Sequence, residues 1–148
     1  MPKIVRLQSL TGVQVEQVKR LMYELNPNIP VTAEMIIDTV SSEGTIFFAL
    51  VEDEQIIGCS SLCVFYSPTG RKGHIEDVVV LSSYRGQGFG RQLMEHMIDF
   101  ARKEVKDIDI FLTSHPTRVA ANNMYQSLGF CQRETNVYKM AVRGGKQV

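Results

Sequence analysis

The chain has 148 residues, 44% hydrophobic and 22% charged, which are the proportions of an ordinary globular domain. Its 16 basic and 16 acidic residues cancel, so no global field attracts nucleic acid or an anionic membrane, and we expect neither as a partner. No apolar stretch approaches the roughly 20 residues that span a bilayer, and the first residues lack the apolar core of a signal peptide. We therefore predict one cytoplasmic domain over residues 1–148.

The first half of the chain predicts a strand, two helices and three further strands. Residues 3–7 alternate as in a strand, and Thr11 with Gln14 then forms a capping box ahead of apolar residues at helical spacing. A second, short helix is predicted from Thr32. Three runs rich in β-branched and aromatic residues follow, at residues 45–51, 55–66 and 74–80. The short connections between them imply that neighbouring strands are antiparallel.

The second half predicts an alternation of helices and strands. From Gly90 to about Glu104, apolar residues recur every three or four positions, as in a long amphipathic helix. A strand over residues 108–113, a helix over 117–128 and a last strand over 132–142 complete the chain. The order β-α-α-β-β-β-α-β-α-β predicts an α/β (α+β) fold, a mixed central β-sheet with helices on both faces and one parallel crossover.

The cysteines suggest neither a metal site nor a disulfide framework. Cys59, Cys63 and Cys131 are odd in number and fit no zinc spacing. We expect free buried thiols and no bound metal.

The most informative segment is a glycine-rich turn between a strand and the long helix. Gly86, Gly88 and Gly90 allow backbone N–H groups to turn inward, and the helix N-terminus adds unpaired donors, so the turn suits a phosphate-sized anion. Arg85 and Arg91 add two positive charges. The glycine spacing fits neither the dinucleotide fingerprint nor a nucleoside-triphosphate loop.

Two motifs resemble the GNAT superfamily of N-acetyltransferases. The segment Arg85-Gly86-Gln87-Gly88-Phe89-Gly90 matches the family signature of Arg or Gln, two residues, Gly, one residue, then Gly or Ala. Downstream, residues 121–130 are similar to the family's closing Ala-x-x-x-Tyr-x-x-x-Gly-Phe segment. The resemblance implies the GNAT fold, acetyl-CoA as cosubstrate and a cofactor site made by Val78, Val80, Arg85, Gly86, Gln87, Gly88, Phe89, Gly90 and Arg91.

The resemblance also assigns backbone roles on the strand before the loop. In the family this strand splays from its parallel neighbour, and the free backbone groups pair with the pantetheine arm of the cofactor. By position, the Val78 N–H would polarise the acetyl carbonyl and Val80 would bond the pantetheine. Both valines could instead be core residues only.

Tyr125 occupies the family's general-acid position. A phenol keeps its proton at neutral pH and can donate it to a leaving thiolate, whereas Phe could only fill the space. As an aromatic residue in an apolar helical stripe, Tyr125 could also be purely structural.

His74 and Glu76 are the two candidates for the general base. On a regular strand they share a face with Val78 while Asp77 lies on the other, although the family's bulge can shift that parity. His74 could deprotonate an ammonium directly, and Glu76 through a water molecule; we favour Glu76. Alternatively, either residue binds substrate or makes a structural hydrogen bond.

A narrower resemblance concerns the glucosamine-6-phosphate N-acetyltransferase branch, which residues 73–80 are similar to. The likeness is local, because Ala121 stands where that branch has an Asn. Arg118 likewise replaces an Asn that holds the cofactor in the wider family, and either Asn122 or Arg118 itself could take over that contact.

The sequence therefore predicts transfer of the acetyl group of acetyl-CoA to a primary amine on a small molecule or peptide. The alternative is a non-catalytic acetyl-CoA-binding module, which would need neither acid nor base. Specificity is expected from residues 25–40 and the loop 66–73, where Arg71 and Lys72 either meet an anionic substrate or solvate a hairpin tip. A homodimer through the C-terminal strand would be ordinary for the family.

Overall fold

Within the described residues, five strands form one sheet in the order in which they occur in the chain. The protein is described here by a computed structural model covering residues 1–144. The first four strands are antiparallel to their neighbours, and the last pair is parallel. The strands are β1 (Lys3–Leu7), β2 (Thr45–Glu52), β3 (Gln55–Ser67), β4 (Gly70–Val80) and β5 (Asp109–Phe111).

Residues 1–144 also form four α-helices, and the two predicted early helices begin where their caps indicated. Thr11 caps the first helix in a capping box with Gln14, and Thr32 caps the second. The helices are α1 (Gly12–Leu25), α2 (Ala33–Ser41), α3 (Phe89–Phe100) and α4 (Val119–Ser127). A 3₁₀ turn, Ser82–Tyr84, precedes α3, and a π-helical turn, Ala101–Val105, follows it. None of the helices in the described part of the chain is long and apolar enough to cross a membrane.

Two adjacent residues of β2 show that helices cover both faces of the sheet. Phe47 lines a pocket together with residues of α1 and α2. Phe48 turns to the opposite face, where its ring centroid lies 4.8 Å from His96 and 5.4 Å from Phe100, both in α3. The predicted mixed sheet with helices on both faces and a parallel crossover is confirmed.

The chain forms two compact units. The first, Met1–Thr113, contains all five strands and helices α1 to α3. The second begins at Ser114 and contains α4, whose C-terminus is followed by Gly129 with φ of 106°, the left-handed conformation that glycine favours at helix ends.

The predicted last strand, residues 132–142, is wrong. Between α4 and residue 144 the described chain forms neither helix nor strand, and the side chains of Val137, Tyr138 and Met140 are 73%, 87% and 82% exposed. A strand is stabilised by hydrogen bonds to a neighbouring strand, and within residues 1–144 this segment pairs with none. Its apolar composition predicted a strand without specifying a partner.

Candidate functional site

The edge of β4 that faces β5 is open along most of its length. The two strands pair only where Lys72, Gly73 and His74 face residues 109–111. Beyond His74, β4 runs on to Val80 with no β5 residue opposite it. Because β5 ends at Phe111, the β4 backbone from residue 75 to residue 80 has no strand partner on this side within residues 1–144, and an extended ligand could pair with it.

The glycine turn after β4 presents an open backbone at the start of α3. Gly86 and Gly88 have φ of 78° and 85°, a left-handed conformation that other residues adopt only under strain. A Cβ atom built on Gly86, Gly88 or Gly90 would meet no atom within 4 Å, so the space in front of this backbone is clear. The first intrahelical bond of α3 runs from Gln92 N–H to the Gly88 carbonyl at 3.0 Å, and no side chain caps the helix. The turn thus fits an anionic ligand such as a pyrophosphate.

Both arginines of this segment also make contacts within the protein. Arg85 Nε donates to the carbonyl oxygen of Val80 at 3.0 Å, which ties the turn to the end of β4. Arg91 Nε lies 2.8 Å from Glu95 Oε1 in an exposed ion pair one helical turn away. Such a surface pair by itself contributes little to stability.

A bulge in β4 changes which side chains share a face. Ser61 pairs with Glu76 and Cys59 with Val79, so one residue of β3 faces two of β4, Asp77 and Val78. Asp77 has φ of 52°. The alternation of a regular strand, which would put Asp77 on the face opposite Glu76, does not apply here, because the bulge shifts the parity and turns the left-handed residue's side chain into the pocket that Ser61 also lines.

The two predicted base candidates have different surroundings. His74 is half-buried between two aromatic rings, with Phe65 and Phe111 each at a centroid distance of 5.6 Å. Glu76 is exposed and lies opposite Ser61. Burial raises the pKa of the neighbouring Cys63 thiol, a hydrogen bond with Thr45 lowers it, and the charges of Glu76 and Asp77 raise it further.

A pocket with a cavity volume of about 140 Å³, open to solvent, lies between α1, α2 and the sheet. Neither His74 nor Glu76 lines it, but Asp77 does; Asp77 is an exposed residue, and partial burial of its carboxyl raises the carboxyl's pKa. Asp77 is therefore a candidate functional residue that the sequence reasoning missed. An available signal was an Asp within a β-branched run, since Asp is depleted in strands and tolerates positive φ better than most residues.

Tyr125 belongs to the second unit, and its contacts given below are with residues of that unit. It is half-buried in α4, and its ring centroid lies 6.3 Å from that of Phe130, whose N–H donates to the Tyr125 carbonyl at 3.0 Å. Asn122 donates from Nδ2 to the carbonyl of His115 at 3.0 Å, so its amide secures the start of α4. The suggested cofactor contact by Asn122 would require that bond to break.

Arg71 and Lys72 are engaged within the hairpin and its surroundings. Arg71 donates from Nη2 to the carbonyls of Val105 and Lys106, the latter at 2.9 Å. Lys72 Nζ bonds the hydroxyls of Ser67 and Thr69. These contacts favour a structural role over the binding of an anionic substrate.

The cysteines form no disulfide or metal site among the described residues. The three cysteines are free, and Cys59 is buried as expected, but Cys63 is only half-buried and Cys131 is exposed. Burial, and secondarily the charge of Asp77, raises the pKa of Cys59 to about 12. Within residues 1–144, no group of three His, Cys, Asp or Glu side chains is placed to hold a metal ion.

Comparison with known proteins places the chain in a family. Residues 15–130 match the model of the acetyltransferase (GNAT) family. The chain is therefore a member of the GNAT family of acetyltransferases, as the two motifs indicated.

Individual relatives agree with this assignment. Streptothricin acetyltransferase from Streptomyces lavendulae is 30% identical over 68% of this chain and 52% of its own length, and glucosamine 6-phosphate N-acetyltransferase 1 from rice is 29% identical over 55% and 56%. The chain spans about half the length of these curated relatives. Among solved structures, an acetyltransferase from Trypanosoma brucei superposes with a TM-score of 0.74 at 23% identity, covering 95% of this chain and 100% of that one. Glucosamine-6-phosphate N-acetyltransferase from Arabidopsis thaliana gives 0.72 at 21%, covering 95% and 98%. At these identities the structures support the fold alone.

Proposed function

We propose that this GNAT protein transfers the acetyl group of acetyl-CoA to a primary amine on a small molecule or peptide. The observation that carries the proposal is the open edge of β4 leading directly into the glycine turn at the start of α3. One extended ligand could fit both features, with an amide-rich arm along the edge of β4 and a pyrophosphate at the glycine turn. The family match runs through both units, which supports the prediction of one domain over residues 1–148. The cytoplasm is the proposed location, and three free thiols suit a reducing compartment.

The cofactor site is proposed to consist of the β4 backbone and the turn. Val80 would bind the pantetheine arm through its backbone, Arg85 would release the Val80 carbonyl on binding, and the Val78 N–H would face the acetyl carbonyl. The turn residues Gly86, Gln87, Gly88, Phe89 and Gly90 would surround the pyrophosphate with N–H groups, and Arg91 would add charge. Acetyl-CoA, when bound, supplies the acetyl group as an activated thioester.

The catalytic roles are assigned to groups that move protons or polarise the acetyl carbonyl. The amine must lose a proton before it attacks, and we favour Glu76 as its acceptor, with His74 as the alternative. The exposure of Glu76 supports this preference, because a water molecule can reach it, whereas His74 lies between two rings. The Val78 N–H would stabilise negative charge on the acetyl oxygen, and Tyr125 would protonate the leaving thiolate.

The test is cofactor binding and thiol release by a matched pair of variants. Gly88→Glu places bulk and negative charge in the turn, and Gly12→Glu places the same side chain at the start of α1, where a Cβ also meets no atom within 4 Å. By calorimetry, Gly88→Glu should lose CoA binding, while Gly12→Glu should bind like the parent.

Thiol release from acetyl-CoA, followed with a panel of amines, then tests catalysis. CoA binding without thiol release would favour a binding module instead. Unchanged CoA affinity in folded Gly88→Glu would refute the proposed cofactor site.

A further inference from the structure

We propose that the acceptor is a small primary amine with an apolar body and no anionic group, and that Asp77 binds its ammonium group. This inference rests on the proposed function and names its substrate class: Asp77, between Glu76 and Val78 on β4, would hold the ammonium form until Glu76 accepts its proton through a water molecule. It concerns the pocket between α1, α2 and the sheet, which lies within the first unit.

The pocket wall is mainly apolar. Side chains from α1, the connection after it, α2 and β2 contribute, among them Met22, Ile29, Met35 and Phe47. The pocket's cavity volume of about 140 Å³ is below the roughly 300–1,000 Å³ of sites for drug-sized ligands, so the pocket suits a small amine. An apolar ligand body would gain about 25 cal/mol for each Å² of its surface buried there.

The charge in the pocket wall is negative. Asp77 is the one charged residue among the described residues that line it, and no Lys, Arg or His does so. A phosphate or carboxylate on the acceptor would thus lose its hydration without gaining a cation, which is strongly unfavourable. An ammonium group would instead meet a carboxylate.

Asn26 and Thr39 bond within the protein, and Ser61 offers a neutral hydroxyl. Asp77 is therefore the one charged group on the described pocket wall that can hold an ammonium group. Asn26 Oδ1 accepts from Asn28 N–H at 3.0 Å, and the Thr39 hydroxyl donates to the Met35 carbonyl at 2.8 Å. Within residues 1–144, the Asp77 carboxylate pairs with no hydrogen-bond donor and no cation. A partly desolvated carboxylate without a partner gains most from a charged donor supplied by a ligand.

The backbone holds Asp77 in this position by an uncommon conformation. Its φ of 52° at the bulge is unfavourable for most residues, and the pairing of Ser61 with Glu76 and of Cys59 with Val79 fixes it on both sides. The carboxylate is therefore held towards the pocket by the sheet rather than by a flexible loop.

The substrate panel contains four amines: 2-phenylethylamine, hexylamine, glucosamine 6-phosphate and spermidine. Thiol release should give a kcat/KM for the two apolar monoamines roughly tenfold or more above that for the other two, corresponding to about 1.4 kcal/mol or more. Calorimetry with 2-phenylethylamine in the presence of CoA provides a readout that does not depend on turnover.

Asp77→Asn tests whether the carboxylate binds the ammonium group. Two lysine variants on α2 test whether the apolar pocket holds the body of the amine. Loss of a charge-assisted bond should weaken 2-phenylethylamine binding by roughly 10- to 100-fold in Asp77→Asn. Met35→Lys brings a cation to the pocket and should raise KM by roughly tenfold or more for the apolar amines. Ile37→Lys is its control, since Ile37 is 50% exposed against 47% for Met35 but does not line the pocket, and it should match the parent.

Failure of this inference differs from failure of the proposed function. Preferred acetylation of glucosamine 6-phosphate or spermidine, or equal 2-phenylethylamine binding by the parent and Asp77→Asn, would overturn the acceptor class while leaving acetyl transfer intact. Absence of 2-phenylethylamine binding to the parent would also overturn it. Absence of CoA binding and of all thiol release would refute the proposed function, and the amine-binding measurement would still decide the role of Asp77.

Discussion

Asp77 is expected to lower the stability of the fold and to favour ligand binding. Burial raises the pKa of its carboxyl, so the ionised form is less stable in the folded protein than in the unfolded chain. Its positive φ also excludes most replacements, although Asn adopts that conformation readily. Stability and ligand binding should therefore respond oppositely to the same substitution.

We predict that Asp77→Asn raises the melting temperature at pH 7 while Asp77→Ala does not. Both variants remove the charge, but Ala in the left-handed conformation costs about 1 kcal/mol. A carboxyl whose pKa is raised on folding destabilises the protein at pH values above its ordinary pKa of 3.8. This destabilisation disappears when the pH falls below 3.8. The advantage of Asp77→Asn over the parent should thus shrink as pH falls towards 3.8, measured by thermal unfolding across pH; an advantage that grows on acidification would contradict this explanation.

A second prediction distinguishes the two base candidates. Glu76→Gln should lower kcat/KM and alter its pH profile, because it removes the proton acceptor while preserving the shape of the side chain. His74→Asn should cost less activity. If the order is reversed, and the pH-dependent limb disappears with His74, then His74 is the base; full activity and the parent profile in both variants would mean that neither is.

For Tyr125, we predict that Tyr125→Phe lowers kcat by about 10²-fold with little change in acetyl-CoA affinity. The ring packs beside Phe130, and Phe preserves that packing while removing the proton donor. Steady-state kinetics with the best acceptor and calorimetry with CoA separate the two effects. Equal turnover would make Tyr125 a packing residue.

At the level of elements, the π-helical turn after α3 is joined to β4 by Arg71. The guanidinium bonds two carbonyls at the end of that turn, where Lys106 and Asp107 both have positive φ. Cations near helix C-termini stabilise the exposed carbonyls there. This contact explains why Arg71 is not available to an anionic substrate.

We therefore predict that Arg71→Met lowers stability without changing the KM of the acceptor. Losing two hydrogen bonds from a charged group should cost about 1.5–3 kcal/mol in the free energy of unfolding. Arg102→Met is the control, because Arg102 is exposed and forms only a surface ion pair with Asp99 at 3.4 Å. Denaturant unfolding of both variants tests this, and a large rise in KM for Arg71→Met alone would assign Arg71 to the substrate instead.

At the scale of the whole molecule, we predict that the segment after α4 is accessible to proteases. Lys139 lies in the exposed stretch without secondary structure, whereas Lys72 lies within β4, where both neighbouring strands pair with it. Limited trypsin digestion should cleave after Lys139 well before Lys72, because a protease needs an unpaired extended backbone. Mass spectrometry should first detect the fragment of residues 1–139. Protection of Lys139 comparable to that of Lys72 would show that the segment is paired in solution, as the predicted last strand or a dimer would require.

The sequence by itself determined the elements whose signals are local. The capping boxes at Thr11 and Thr32 predicted where α1 and α2 begin, and the glycine turn predicted a strand-to-helix transition that the structure contains. These features depend on hydrogen bonds and dihedral angles within a few residues, so they can be predicted from residues that are close together in the sequence. The family followed from two such local motifs and is confirmed by the match over residues 15–130.

Tertiary structure alone decided the features that depend on partners distant in sequence. Residues 132–142 have strand-like composition, but a strand forms only where a neighbouring edge accepts its hydrogen bonds. The face of Asp77 depended on the register between β3 and β4, because one extra residue at a bulge reverses the alternation that a regular strand predicts. The pocket wall likewise combines α1, α2 and the sheet, and only their packing brings the apolar side chains and the single carboxylate together.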